Sequence, residues 1–435
     1  MTRRSILCLP LLMAATPALA ETHSTYGCAG LEESSPTSYI EGQNGVFFRL
    51  GLDLRTSHPV SEGSIDLMAR LSEALATRGT TLVYVPLPSK AQAMPGALPA
   101  EAAAYGYDPE LAAATYEDAV SRLRAAGVVT VDAMTPLLGL PEGELAFIPT
   151  DHHWTSAGAR AVAEEVGRTI QETPGYADLD HASVETRSLG VEDLPSPVRR
   201  EIQALCRETI PPSATEAFET EVTAPAAGNG IFAVASEGPP IVLAGTSMSR
   251  TDAFNFDGFL AEAAGLEVSN HAVTGGNQFG AIVSYMLSQE FQDAPARYLV
   301  WENPIYNNLA EFGEIPLREL IAAADDQCTP LAVSHPDPST LLAEVPDGAL
   351  PAQAFVRADA GDANGRAIRV DFVTADQGRI SAMIERSQRL GPTQRFYQYM
   401  EPFWEPGITR VEVRFDHPVS EGASLAICLE KETAS

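Results

Sequence analysis

Residues 147–159 read Phe147-Ile148-Pro149-Thr150-Asp151-His152-His153-Trp154-Thr155-Ser156-Ala157-Gly158-Ala159. An apolar run reaches a proline, then a turn carrying a carboxylate, two imidazoles and an indole, then a helical alternation. Thr155 or Ser156 can cap that helix, and Ala159, Ala161, Val162, Ala163 and Val166 form its apolar side. Asp151 and His153, two residues apart at a strand-to-helix turn, can face one pocket as an orienting carboxylate and a base. His152 is expected at the surface or behind that pair.

The segments on either side keep the same rhythm. Upstream, Tyr39 to Phe48 reads as strand, turn and strand. Ser64 to Thr77 is a helix with Ile65, Leu67, Met68, Leu71 and Leu75 on one side, and Thr80 to Leu87 is a buried strand. A helix from Tyr116 to Ala126 and a short strand from Val128 to Val131 follow. Downstream, Ile241 to Ala244 is a buried strand, Asp257 to Ala264 and Gly280 to Glu290 are helices, and Tyr298 to Glu302 is the last buried strand. This alternation predicts an α/β fold, a parallel sheet flanked by helices. Residues 175–240 interrupt it. They are rich in Pro, Glu, Thr and Ala, carry strand-like pieces at Phe218–Val222 and Ile231–Ala235, and read as an insertion or lid. Beyond Asp325, Pro336, Pro338, Pro346 and Pro351 crowd a linker-like stretch. Strands at Arg366–Phe372, Arg395–Met400, Thr409–Phe415 and Ser424–Leu429 then predict a C-terminal all-β sandwich domain over residues 328–435.

The strand at Ile241 runs into Gly245-Thr246-Ser247. A buried strand ending in Gly-x-Ser before a helix sets the hydroxyl at the carboxyl end of a parallel sheet, where α/β folds hold ligands. Serine needs an adjacent base to become nucleophilic at neutral pH, and His153, its tautomer fixed by Asp151, is the supplier. The expected catalytic set is therefore Ser247, His153 and Asp151. The Ser247 N–H, with the later loop Gly275-Gly276-Asn277, is the candidate oxyanion hole. Asp151-His152-His153 could instead begin a metal site completed by Asp180, His181 or His271. No H-E-x-x-H-type spacing supports one, and neither metal nor cofactor is expected. Lys90, after Pro88, is a loop cation or a pocket residue.

A chain of 435 residues has room for two domains. The first twenty residues stand apart from both. Thr2-Arg3-Arg4, the apolar run Ile6 to Ala15 and Ala18-Leu19-Ala20 have the order of a signal peptide over 1–20. No later apolar run is long enough for a bilayer, so the mature protein is expected to be exported and soluble. Cys28, Cys206, Cys328 and Cys428 remain, and four cysteines allow three pairings. Cys28–Cys206 with Cys328–Cys428 is favoured, because the second pair brackets the β module.

The net charge of -30 argues against nucleic acid or an anionic membrane as partner. From Thr329 onward 10 basic residues stand against 15 acidic ones, while the rest of the chain has 18 against 43. Lys90 and Lys431 are its only lysines, and arginine forks suit planar carboxylates. The β module is thus the better place for an acidic ligand. Arg366, Arg369, Arg386, Arg389 and Arg395, with Tyr397, Tyr399 and Trp404, are its candidate substrate-positioning residues.

These pieces together resemble the alginate O-acetyltransferases of the AlgX/AlgJ type, a branch related to SGNH hydrolases. The matching stretches are Gly42 to Phe48, Pro88-Ser89-Lys90, Thr150-Asp151-His152-His153-Trp154 with Gly158-Ala159, Gly245-Thr246-Ser247-Met248-Ser249 and Trp301-Glu302. The resemblance runs from Tyr39 to Glu302. Asp-x-His-Trp ahead of Gly-Thr-Ser is specific, because ordinary SGNH hydrolases place the serine first. The β module looks like the carbohydrate-binding domain that distinguishes AlgX from AlgJ. What the resemblance implies is an SGNH hydrolase-like domain over 21–327. It also implies periplasmic transfer of an acetyl group, through an acetyl-serine, to hydroxyls of an alginate-like exopolysaccharide. A membrane-bound O-acyltransferase is the implied acetyl source, and a periplasmic polymer export complex the implied neighbour. A secreted glycan acetylesterase and a non-catalytic polysaccharide-binding protein of that complex are the alternatives.

Overall fold

The computed structural model describes residues 24–223, 238–325, 327–346 and 348–429. The expected signal peptide at 1–20 and the strand-like piece Ile231–Ala235 lie outside them. The chain opens on an antiparallel pair, β1 (Tyr39–Glu41) and β2 (Phe47–Arg49). Helix α1 (Glu62–Thr77) starts where the Ser61 hydroxyl accepts the Ser64 amide, and it leads into β3 (Thr81–Leu87). A capping box of Ser89 and Gln92 starts the short α2 (Lys90–Ala93). Helix α3 (Pro109–Ala125) begins at Pro109 rather than at the expected Tyr116. Asp108 caps two of its amides and proline suits the first helical position, signals that outweigh a first turn with little apolar periodicity. Then come β4 (Val129–Thr130), α4 (Met134–Leu138) and α5 (Ser156–Gln171), the last capped by Thr155.

The insertion folds as β5 (Ser183–Leu194), α6 (Pro197–Gln203) and β6 (Ser213–Thr223). The two strands pair with each other, outside the main sheet, and Phe218 packs edge-on to Phe259 at 5.0 Å. The regular alternation resumes with β7 (Ile241–Ala244), α7 (Ser247–Arg250), α8 (Phe256–Ala264), β8 (Val268–Asn270), α9 (Gly280–Met286), α10 (Gln289–Asp293), β9 (Tyr298–Pro304) and α11 (Ile315–Asp325). The single helix expected over Gly280–Glu290 is two, because Ser288 caps a new start at the Phe291 amide. The main sheet has the order β4-β3-β9-β7-β8, parallel throughout. Its central strands are largely apolar and buried almost throughout because both faces are covered. Val162 and Val166 of α5 join Leu260 of α8 on one face; Leu71 of α1, Ile282 of α9 and Leu320 of α11 cover the other.

Beyond α11 the chain is antiparallel β. The strands are β10 (Cys328–Leu331), β11 (Val333–Asp337), β12 (Thr340–Glu344), β13 (Ala354–Asp359), β14 (Ala367–Thr374), β15 (Arg379–Glu385), β16 (Arg395–Tyr399), β17 (Ile408–Phe415) and β18 (Ser424–Leu429). They form two sheets, β10-β18-β13-β16 and β11-β12-β17-β14-β15, which share a core including Val356, Phe372, Phe396, Val411 and Leu425. The proline-rich stretch that reads as a linker thus holds strands. Pro336 lies on β11, an edge strand, where a missing N–H leaves no ladder bond unmade. The disulfides are Cys28–Cys206 and Cys328–Cys428. Among the described residues no helix is long and apolar enough to cross a membrane.

Candidate active site

The turn between Phe147 and Ser156 closes on itself. Phe147 bridges Trp154, Ile148 N donates to His153 O at 3.0 Å, and Thr155 N to Ala146 O at 3.0 Å. Three further carbonyls in it point to one place. The Lys90 ammonium donates to Ile148 O (2.7 Å), Pro149 O (2.9 Å) and Asp151 O (2.8 Å). Lys90 is 1% exposed, and burial pulls its ammonium down to about 7, against the opposing charges of Asp53 and Asp151. Lys90, which reads in the sequence as a loop cation or a pocket residue, is therefore an internal tether. Trp154 fastens the turn from the other side, its Nε1 donating to Met248 O at 3.0 Å.

Three side chains from two elements meet above the carboxyl end of the sheet. His153 Nδ1 lies 2.6 Å from Asp151 Oδ1, and His153 Nε2 lies 2.9 Å from Ser247 Oγ. Asp151 Oδ1 also accepts the His153 amide at 2.9 Å, while Oδ2 accepts the Ser196 hydroxyl. Burial pushes the Asp151 carboxyl up, yet its bond to His153, the charges of both histidines and the Ser196 bond hold it well below the usual carboxylate range. An ionised Asp151 accepts the hydrogen bond from the His153 Nδ1–H, which keeps the proton there and leaves the Nε2 lone pair facing Ser247. His152 stacks on His153 with ring centres 3.9 Å apart. Burial, and the charges of His153 and Arg49, push His152 down to about 3, so it is neutral beside its neighbour.

Asp151, His152 and His153 also bring one potential ligand atom each to within 4.8 Å of one another. Neither His181, set against Tyr176, nor His271, beside Ser269 and Glu290, joins that group. Both ring nitrogens of His153 are engaged, Nδ1 with Asp151 and Nε2 with Ser247.

Ser196 went unread in the sequence, because it sits on the insertion with no motif around it. It caps α6, accepting the Arg199 amide at 2.9 Å while donating to Asp151. The same insertion holds the turn through Ser213 Oγ, 2.8 Å from Thr150 Oγ1, and through Thr215 Oγ1, which accepts the Ser156 amide at 2.8 Å. In the Gly275–Asn277 loop, the Gly276 amide is committed to Val273 O at 3.1 Å, which leaves Gly275 and Asn277 as the loop's candidate donors.

The β-module residues are dispersed. Arg366 donates to Ser387 O (3.2 Å) and Leu390 O, Arg369 pairs with Asp371 at 3.1 Å, and Arg395 with Asp359 at 2.7 Å. Arg386 is buried against Glu319 of α11 at 2.7 Å, and Tyr397 and Tyr399 lie in the core. Trp404 is 39% exposed, with Nε1 donating to Leu350 O. Arg389, exposed, comes to the sheet's carboxyl end: a Cβ on Gly275 would stand 2.2 Å from its Nη1.

A family model described as SGNH hydrolase-like domain, acetyltransferase AlgX, matches residues 40–305. The alginate biosynthesis protein AlgX of Pseudomonas aeruginosa is 32% identical over 295 residues, 67% of this chain and 60% of that protein. The probable alginate O-acetylase AlgJ of the same organism is 30% identical over 251 residues, 55% of this chain and 62% of that protein. The chain thus matches 60% of the AlgX relative's length. Among solved structures, Pseudomonas aeruginosa AlgX superposes with a TM-score of 0.70 at 24% identity, covering 90% of this chain and 94% of that one. The O-acetyltransferase domain of Pseudomonas putida AlgJ gives 0.52 at 20% identity, covering 66% and 99%. Both likenesses are of fold.

Proposed function

This chain belongs to the AlgX family of SGNH hydrolase-like acetyltransferases, and from that membership we propose that it is a periplasmic O-acetyltransferase acting on alginate or an alginate-like exopolysaccharide. The names of its relatives support the polymer and the reaction. The observation that carries the chemistry is the line from Asp151 through His153 to Ser247, at 2.6 and 2.9 Å. A base held in one tautomer, with its free nitrogen on a serine hydroxyl, is the requirement for acyl transfer through serine.

In this mechanism Ser247 Oγ attacks the carbonyl carbon of the donor acetyl ester as its proton passes to His153 Nε2. The oxyanion faces the Ser247 N–H, at the first position of α7, and the Gly275–Asn277 loop. Collapse breaks the bond to the donor, whose leaving oxygen takes the proton from His153. A sugar hydroxyl then gives its proton to His153 Nε2 and attacks the acetyl-serine. The ester forms on the sugar, and the proton returns to Ser247. The acetyl donor in this reading is fed by a membrane-bound O-acyltransferase, and the enzyme works beside a polymer export complex. The His153 side chain is 20% exposed, so water can take the sugar's place and acetylesterase side activity is expected.

The test is incubation of the wild type with an activated acetyl ester and an oligomannuronate. The expected products are the acetylated oligosaccharide by mass spectrometry and free acetate. Ser247→Ala abolishes both, and Asp151→Asn lowers turnover by about 10³–10⁴-fold. An unimpaired Ser247→Ala variant overturns the mechanism. Polymer retention without any acetyl transfer would leave only a binding protein.

A further inference from the structure

One group outside this relay is ionisable, without exposed surface, and in direct contact with the turn that carries Ser247. Glu302, at the end of β9, is 0% exposed. Its Oε2 accepts the Thr246 amide at 2.7 Å and the Ser249 hydroxyl at 2.9 Å. Thr246 Oγ1 lies 3.1 Å from each carboxyl oxygen. The donors stand on both sides of Ser247 in the sequence. Gly245 completes the cradle, because a Cβ there would come within 2.6 Å of Glu302 Oε2 and 2.8 Å of Ser249 Oγ. Gly245, Thr246 and Ser249 of the stretch Gly245-Thr246-Ser247-Met248-Ser249 thus form a carboxylate clamp around Ser247. Gly245 makes room, Thr246 and Ser249 grip, and Ser247 is free to turn its hydroxyl to His153.

A bland anchor for the strand end would not need a charge. An amide oxygen could accept the Thr246 N–H without the desolvation that a buried carboxylate incurs. What the charge adds is its field at His153, which gains a proton twice in each catalytic cycle. Resting on the reading of Ser247 as the nucleophile, we propose that Glu302 is a positioning residue for the acyl transfer. It fixes the Ser247 turn through Thr246 and Ser249, and it supplies a second negative charge, beside Asp151, for the imidazolium that forms on His153.

The groups that bear on Glu302 are few. Tyr84 on the neighbouring β3 is pushed up to about 12 by burial, and burial likewise raises Tyr306, so both are neutral across the working range. Burial pushes Glu302 itself up to about 6, against the bonds from Thr246 and Ser249 and the charge of His153. His153 is faced by Asp151 and by neutral His152, and its charge reaches Glu302, whose carboxyl it lowers.

Glu302→Gln keeps the volume and an acceptor for Thr246 while removing the charge. We expect kcat on an acetyl ester to fall about tenfold with KM within about twofold. The acid limb of kcat/KM should move to lower pH by about half a unit, since the imidazolium loses a favourable charge. A purely structural role would leave that limb in place. Ser249→Ala loosens the grip without touching a charge, and should slow fluorophosphonate labelling of Ser247 several-fold even if the first variant fails to fold. Wild-type kcat and acid limb in Glu302→Gln, or wild-type labelling in Ser249→Ala, overturns the proposal, as does a wild type that is not labelled. Labelling that slows in the variants while no polymer is ever acetylated sinks the polymer reading and supports this one.

Discussion

Lys90 shows how much of the proposed relay depends on a residue outside it. Its three bonds hold the carbonyls of Ile148, Pro149 and Asp151 on one side of the turn, so Asp151 and His153 are presented on the other. Lys90→Met leaves the Asp151 carbonyl without its donor, while Ile148 O keeps the Asp151 amide and Pro149 O the Phe47 amide, and should cost about 1–3 kcal/mol of stability. The pH dependence has a definite sign. Burial pulls the native ammonium down to about 7, below the roughly 10.4 of an unfolded lysine. Between these values the unfolded chain binds the extra proton, so stability rises with pH across the window. Urea denaturation should show the wild type gaining on Lys90→Met from pH 7 to 10, and a constant difference would refute the assignment. The candidate set Asp151, His153 and Ser247 was legible in the sequence because the first two share one polar turn and the third follows a buried strand at the start of α7. Ser196 was not, since its bond to Asp151 joins positions 45 apart with no pattern between them.

The insertion is the element whose role the sequence least discloses. Its composition reads as a lid, yet Ser196, Ser213 and Thr215 bond it to the turn that carries Asp151 and His153, and Cys206, just after α6, fixes it to Cys28. The two disulfides should therefore differ in what they support. Replacing Cys28 and Cys206 by serine removes a cross-link spanning 178 residues and should cost up to about 5 kcal/mol in the chain-entropy model. It should also lower kcat, because α6 carries Ser196 at its cap. Replacing Cys328 and Cys428 should destabilise by a similar amount and leave turnover of a small acetyl ester unchanged. Denaturation curves and ester kinetics on the two double variants check both halves. Elsewhere, elements were missed where apolar periodicity was weak or masked. The start of α3 is marked by a cap and a proline alone, and prolines hide the edge strand β11.

At the scale of the molecule, the two modules were legible but their docking was not. The sequence shows where the alternating pattern changes to strands; it does not show that Phe355, Tyr397 and Tyr399 share a core with Leu317, Leu320 and Ile321 of α11. Nor does it show that Arg386, read as a ligand-positioning arginine, pairs with Glu319 at 8% and 12% side-chain exposure. Arg386→Ala strands a buried carboxylate and should cost about 3–5 kcal/mol, whereas Arg386→Met with Glu319→Leu should recover most of that loss. Calorimetry of the three proteins decides it, and a harmless Arg386→Ala would mean that the interface opens to water. The pairing of Cys328 with Cys428 across β10 and β18 has a wider consequence. The sandwich departs from α11 and comes back beside its own starting point, so it is a cassette with adjacent splice sites. A foreign sandwich bringing a matching apolar underside for α11 could be grafted there with the parallel sheet left as it is.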